Sequence, residues 1–481
     1  MKEKGSVRRS LCERIINSPL RRCHQKSGSA TPRALIVNSP REKTIVNTRE
    51  VSKSRFTVAT DDIVAPNARD VMTKPKLKKA LLLFLAGMLS MHLVIAWNAR
   101  RLVYLGYPDF TTFYTGGIIV RQHLGAQLYD EQTQYRLQQQ FAPGVIIRHG
   151  PLPYIHPPFE ALVFVPLAWL SYPAAFLVWD CISVLILIAA MWVLRPHVSS
   201  LNAISMPAWI FIWLAFFPVF FGLLQGQDIF VLLLLFVLAF VALKQKRDLT
   251  AGCLLSLGSF RFHLVAAFVL MLLLQKRYKA IMGFIGSALL LALLSVSIVG
   301  WRQTVQYPTH VWRREQSMER LGTIVPIRMA NVRGLLDSAL LPHTSKLASD
   351  AVIAAVSLAL IAWGSRRWKS SSPAEFDLGF SLCVVITVLV GYHTLPYDLS
   401  LLLLPLTLIA NHLLRHAKEV KQSRAILFAP MLLLFFTPLQ AFLLMRNGHY
   451  NLMAIVMLFW IWAISREISR QNLRTVEKSA A

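Results

Sequence analysis

The chain has 481 residues, 55% of them hydrophobic and 16% charged, a balance that excludes an ordinary soluble globular protein and reads as a polytopic membrane protein. Its 51 Lys and Arg against 24 Asp and Glu give a formal net charge of +27. That excess gathers in the N-terminal tail and in short connections between apolar runs, so anionic membrane lipids are the expected partner and nucleic acid is not.

Residues 1–75 are polar, basic and poor in aromatics, and are expected to form a disordered cytoplasmic tail. No apolar stretch precedes Ala80, so no secretory signal is expected. Lys76, Lys78 and Lys79 lead into the apolar run 80–97, enough to cross a hydrocarbon core of roughly 30 Å. The positive-inside rule then puts the N-terminus in the cytoplasm and makes 98–156 a first outer loop. Within it, 112–124 and 130–141 read as amphipathic helices lying along the interface.

Eleven more apolar runs follow, at 157–170, 174–194, 206–224, 229–243, 250–274, 281–299, 347–363, 376–391, 396–414, 426–444 and 450–464. The expectation is an all-α bundle of about twelve transmembrane helices over 76–467, with a second long outer loop at 300–346 and a cytoplasmic tail at 468–481. Most basic connections then fall on the cytoplasmic side, but KQKRD at 244–248 falls outside. The conflict disappears if 206–224 is re-entrant and 250–274 breaks into two short helices around Arg261 and His263. Polar groups and broken backbone at membrane depth are tolerated mainly where they line a cavity.

Residues 107–129 place one carboxylate, Asp109, just outside the first apolar run, between a proline and a series of aromatic and small residues. An acid there suits chemistry at the bilayer surface; the alternative is that Asp109 simply N-caps a helix starting near Thr111. There is no Walker loop, GxSxG elbow, zincin motif or paired CxxC. The five cysteines, Cys12, Cys23, Cys181, Cys253 and Cys383, give no disulfide framework or metal-ligand spacing. No inverted repeat of the transporter kind is visible.

What remains is an acid, cations and histidines near the outer leaflet. Arg261 and His263 sit in an apolar run, Gln227 in LLQGQD, Arg313 and Arg314 in the second outer loop, and His393 and Asp398 in GYHTLPYD. That inventory suits group transfer from a phosphate-bearing lipid: a carboxylate deprotonates an incoming hydroxyl, while Arg and His stabilise charge on the departing phosphate. Aromatic rings give a sugar an apolar face. The chemistry requires no metal and no cofactor, although a divalent cation is compatible with it. Each residue has a structural alternative as well: a snorkelling Arg261, a polar turn at Gln225 and Gln227, a hydrogen bond between His393 and Asp398, and solvated loop charges at Arg313 and Arg314.

The stretches YPDFTTFYTGG with LGAQLYD, YIHPPFEALVFVPLAWLSYPAAFLVWD, GQDIFVLLLLFVLA, AGCLLSLGSFRFHLVAAFVLMLL and GYHTLPYDLSLLLLP, in this order over 107 to about 405, resemble glycosyltransferase family 87, also labelled DUF2029. The resemblance implies a GT-C fold and an inverting enzyme that moves a hexose, most plausibly mannose, from a polyprenyl phosphate to a lipid or glycan acceptor at the outer face of the cytoplasmic membrane. It implies Asp109 as general base and His393 facing the lipid phosphate with Arg261 and His263. His156, Asn331, Asp398 and, in the re-entrant topology, Gln227 would shape the sugar and acceptor pocket. Asn331 resembles the family's outer-loop Asn, with Val332 and Arg333 as departures; RFH at 261–263 stands where the family commonly shows Lys-Pro. Two rival readings are a lipid-linked sugar flippase, which needs charged residues along a path through the midplane, and a membrane scaffold, in which Asp109 and His393 would lie far apart.

Overall fold

The computed structural model describes residues 75–147, 150–320, 325–368, 373–416 and 424–480, so the basic tail expected over 1–75 lies, but for Pro75, outside the described residues. Among them there are helices and no strands. The helix α1 (Pro75–Tyr104) is followed by α2 (Phe110–Arg121), α3 (Glu131–Gln138), the single turn α4 (Gly144–Ile147) and α5 (Pro158–Phe164). Then come α6 (Tyr172–Leu194), α7 (Met206–Leu214), α8 (Phe217–Gln225), α9 (Ile229–Lys244), α10 (Asp248–Leu257), α11 (Phe262–Leu274) and α12 (Tyr278–Val299). The second half runs through α13 (Trp301–Arg320), α14 (Val332–Leu340), α15 (Lys346–Arg367), α16 (Pro373–Val390), α17 (Leu403–Arg415), α18 (Arg424–Phe435), α19 (Thr437–Ala441) and α20 (Met453–Ala480).

Prolines open many of these helices. α5, α6, α7, α8 and α19 each carry Pro in the first two positions, where its fixed φ suits the helix and its missing N–H costs nothing. Seven segments are long and apolar enough to cross a membrane: Lys79–Tyr104, Tyr172–His197, Asp248–Leu274, Tyr278–Val299, Lys346–Arg367, Pro396–Arg415 and Tyr450–Leu473. Two bent pairs raise this to nine if each is one span: α7 with α8, bent by 74°, and α18 with Thr437–Asn447, bent by 55°. The chain is a multi-pass membrane protein.

Eleven of the twelve apolar runs of the sequence coincide with these segments or with the buried helices α9 and α16. The exception is 157–170, which divides into the 7-residue α5 and a 3-10 turn at Leu167–Trp169. Prolines at 157, 158 and 166 break its hydrogen-bond ladder, and neither piece is long enough to span. The first outer loop does contain two helices near the predicted positions. However, α2 is not an amphipathic surface helix: ten of its twelve residues are buried. Gly117 allows this, because a Cβ there would stand 2.5 Å from the backbone oxygen of Phe164 in α5. The second outer loop holds the 20-residue amphipathic α13 and the shorter α14.

Both segments expected to be irregular, 206–224 and 250–274, are interrupted. Phe216 is extended between α7 and α8, just ahead of Pro218. A 3-10 turn at Gly258–Arg261 separates α10 from α11 without any proline. These breaks deliver polar side chains to the interior. Around them lie a large apolar core, centred on α9, α16, α17 and α20, and an aromatic cluster that joins α2 to α5 and α6.

Candidate functional site

Asp109 occupies the tight connection between α1 and α2. It holds the N-cap position of α2 but has helical angles, φ −60° and ψ −22°, and its side chain makes no capping bond. The capping alternative therefore fails. Instead Gln227 Nε2 donates to Asp109 Oδ2 at 2.5 Å, and the Asp109 backbone N–H donates to Gln225 Oε1 at 3.2 Å. Both glutamines come from the turn that ends α8. The chain reverses there at Gly226, with φ +61°, where a Cβ would stand 2.7 Å from Phe110 Cβ. Trp179 Nε1 fixes the turn by donating to the Gly226 carbonyl at 2.9 Å.

The other end of the Gln227 amide, Oε1, accepts from Arg261 Nη2. Arg261 is only 4% exposed, because the 3-10 turn between α10 and α11 points it inward. Its Nε and Nη2 both donate to Asp228 Oδ1, Nε at 2.8 Å, and its Nη1 donates to Asp398 Oδ1 at 3.2 Å. Its guanidinium lies 5.2 Å from the centroid of the Tyr397 ring. A snorkelling arginine would reach for the interface; this one is held inside by two carboxylates and an amide.

Asp398 Oδ2 accepts from the Leu395 backbone N–H at 2.8 Å, so Asp398 is anchored to its own turn and not to His393. His393 Nδ1 faces Glu315 Oε1 at 3.0 Å, and the same oxygen accepts from Arg333 Nη1 at 3.0 Å. Burial works against the Glu315 charge, but His393 and Arg333 outweigh it and hold the carboxyl down at about 2. His263 brings its ring to 6.3 Å from that of His393, and its buried Nε2 has no protein hydrogen bond. Of the two loop arginines, Arg314 pairs with Glu131 of α3.

His156 places Nδ1 2.9 Å from Glu160 Oε2, one helical turn onward in α5. Burial lowers the imidazole to about 4, which leaves it neutral near pH 7. Burial, reinforced by the neighbouring Asp228 charge, raises the Glu160 carboxyl well above its ordinary range. Burial also raises Asp109, against the opposing influence of Arg261 and the Gln227 hydrogen bond.

A cavity of about 590 Å³ adjoins these groups. Its polar wall carries His156, Arg261, His263, Glu315, His393 and Tyr397; Phe159, Phe262, Leu291, Ala292 and Val311 make much of the rest apolar. Leu291 and Ala292 belong to α12, whose opposite face is open to the surroundings, with Leu289 61% and Leu293 64% exposed. One peripheral helix thus separates the cavity from the hydrocarbon side. Asp109, Gln227 and Asp398 are not on the wall but meet it through Arg261 and Tyr397, and Tyr397 also interacts with the half-buried Asp109 carboxylate. Asp109 and His393 are near enough for their charges to interact, contrary to the scaffold reading.

Asn331 stands apart from the cavity. Its Oδ1 caps α14 by accepting from Gly334 N at 2.7 Å, and its Nδ2 donates to the Gly391 carbonyl at 2.7 Å, tying α14 to the segment that bears His393. Sequence reasoning missed Glu160, Asp228, Glu315 and Tyr397. Glu160 had a usable signal, an acid four residues after a histidine inside an apolar run; Asp228 stood next to a selected glutamine. Glu315 and Tyr397 had no signal that set them apart.

Residues 154–391 match the sequence profile of glycosyltransferase family 87. The chain is similar to two curated proteins, each a polyprenol-phosphate-mannose-dependent alpha-(1-2)-phosphatidylinositol mannoside mannosyltransferase. The one from Mycobacterium tuberculosis is 25% identical over 278 residues, covering 53% of this chain and 62% of the relative. The one from Mycolicibacterium smegmatis is 26% identical over 241 residues, covering 47% and 53%. The chain therefore spans less than two thirds of the length of the curated relatives it matches. No solved structure matches it.

Proposed function

Residues 154–391 belong to glycosyltransferase family 87, and on that premise we propose that this protein is a membrane glycosyltransferase that moves a hexose, mannose by the analogy of its relatives, from a polyprenyl phosphate to the hydroxyl of a lipid or glycan acceptor. The observation that carries this reading is the bonded series Asp109, Gln227, Arg261 beside a cavity with one polar and one apolar side. A lipid-linked sugar phosphate has the matching parts. Its prenyl chain suits the wall along α12, and its phosphate suits the Arg261 and His393 side. Tyr397 and Tyr307 offer ring faces for a sugar.

In the proposed step Asp109 takes the proton of the acceptor hydroxyl as its oxygen attacks the anomeric carbon from the face opposite the phosphate. The bond between that carbon and the phosphate oxygen breaks, and polyprenyl phosphate leaves with the electron pair. Arg261 and His393 stabilise its charge by donating hydrogen bonds to it. A single displacement of this kind inverts the anomeric centre. Lys76, Lys78 and Lys79 at the start of α1 favour a cytoplasmic N-terminus, and with it an outer-face position for the end of α1 that leads to Asp109.

Purified protein, given synthetic polyprenyl-phosphate-[14C]mannose and membrane lipid extract, is expected to yield labelled glycolipid, and Asp109→Ala is expected not to. Full transfer by the folded variant removes Asp109 as base. No transfer by wild type from mannose or other polyprenyl-linked hexoses sinks the enzyme reading.

A further inference from the structure

We propose that His156, Glu160 and Asp228 form a divalent-cation site beside the cavity, whose wall His156 reaches, a use of these residues that neither the sequence reading nor the family assignment contains. Three elements bring them together: the segment ahead of α5, α5 itself, and the turn between α8 and α9. One ligand atom from each lies within 4.8 Å of the other two, and His156 Nδ1 is 2.9 Å from Glu160 Oε2. For metal–ligand bonds of about 2.1 Å, adjacent ligand atoms stand about 3 Å apart and opposed ones about 4.2 Å. The imidazole and the Glu160 carboxylate already have the adjacent spacing, and a pair at the 4.8 Å limit would close by about 0.6 Å to stand opposed across the ion.

A second observation points to an occupant. Glu160 and Asp228, each only 3% exposed, set their buried carboxyls against each other, and no donor from any other residue reaches either Glu160 oxygen or Asp228 Oδ2. Such atoms are costly unless something fills the space between them. The His156 nitrogen approaches Glu160 closely yet without the alignment of a hydrogen bond. That is how two groups are arranged when both face a third partner.

Charge gives the same answer. Asp109, Glu160, Asp228 and Asp398 surround one guanidinium, that of Arg261, whose donors go to Asp228, Asp398 and Gln227. Glu160 receives none of those donors. One imidazole nitrogen with two carboxylates suits Mn²⁺ or Zn²⁺ better than Mg²⁺ or Ca²⁺, which favour all-oxygen ligand sets. His156 and Arg261 both line the cavity, so the remaining coordination positions would take water, or the donor phosphate. That last assignment rests on the glycosyltransferase reading; the cation site does not.

The test is titration of Mn²⁺ into chelator-stripped full-length protein in detergent micelles, followed by electron paramagnetic resonance with no sugar donor present. The expected result is one Mn²⁺ per chain, with affinity reduced about tenfold to a hundredfold in Glu160→Gln and in His156→Asn. Thermal unfolding of wild type should rise with Mn²⁺ and that of Glu160→Gln should not; if that variant does not fold, His156→Asn takes its place. Absence of stoichiometric Mn²⁺ or Zn²⁺ binding by folded wild type overturns the site, as does equal binding by both variants. Transfer activity is measured separately. An active, chelator-insensitive protein that binds no metal loses the cation site and keeps the glycosyltransferase reading. A protein that binds one Mn²⁺ but transfers no polyprenyl-linked hexose keeps the site and loses that reading.

Discussion

Replacing Arg261 by methionine keeps an unbranched side chain of similar reach and removes the guanidinium. Two carboxylates then lose their partner, Asp228 at 3% exposure and Asp398 at 0%, and Gln227 loses the donor to its oxygen. Breaking a buried ion pair by deleting one member costs about 3–5 kcal/mol, and a buried acceptor left open adds about 1–3 kcal/mol. These terms share one network and do not simply add, so the expected loss for Arg261→Met is about 5 kcal/mol. The triple variant Arg261→Met, Asp228→Asn, Asp398→Asn removes the uncompensated charges and should recover to within about 2 kcal/mol of wild type. Reversible SDS-driven unfolding in mixed micelles, with chelator present throughout, measures both. A single variant within about 1 kcal/mol of wild type would refute the claim that this arginine neutralises the buried acids. Recovery of stability in the triple variant without recovery of transfer would separate its structural work from its role at the phosphate.

Asp109→Asn retains an oxygen for Gln227 and should lower kcat by about 10²–10⁴-fold with little change in unfolding, read by initial rates of hexose transfer. The base works deprotonated, so activity should fall as pH drops through the Asp109 pKa, which burial raises above the usual carboxylate range. Gln227→Leu removes a hydrogen bond that favours the charged form, so the acid limb of kcat/KM should move to still higher pH; an unmoved or lowered limb contradicts the contact. Gly226→Ala forces an L side chain to φ +61° against Phe110, and should cost at least about 1–2 kcal/mol by thermal or SDS unfolding, while displacing both glutamines from Asp109.

The spans were legible because long apolar runs carry their own signal, and so was Asp109, a lone acid beside a membrane helix. Arg261 stood out for the same reason, as a cation where cations are expensive. The break at Gly258–Arg261 could be inferred from the misplaced KQKRD connection even though no proline marks it. What escaped was three-dimensional coincidence. Glu160 was hidden in a run that composition alone presents as a span, until its prolines are given their full weight. Glu315 faces His393 from 78 residues away, and α13 reads in the sequence as one more polar loop. Asn331 stood out because it resembles the family's outer-loop Asn, whereas its contacts are those of a helix cap.

The amide of Gln227 has an electrical consequence. Asp109 and Arg261 lie in the same small volume, and in direct contact they would form an ion pair whose attraction would quench the carboxylate as a proton acceptor. The glutamine acts as an insulating spacer: it offers N–H to the acid and oxygen to the guanidinium, while the ion pairs of the guanidinium go to Asp228 and Asp398 and not to Asp109. Turning the amide over would set like against like at both ends, which fixes its orientation. In the proposed reaction this would let Asp109 accept a proton and Arg261 hold the phosphate side by side, without cancelling one another.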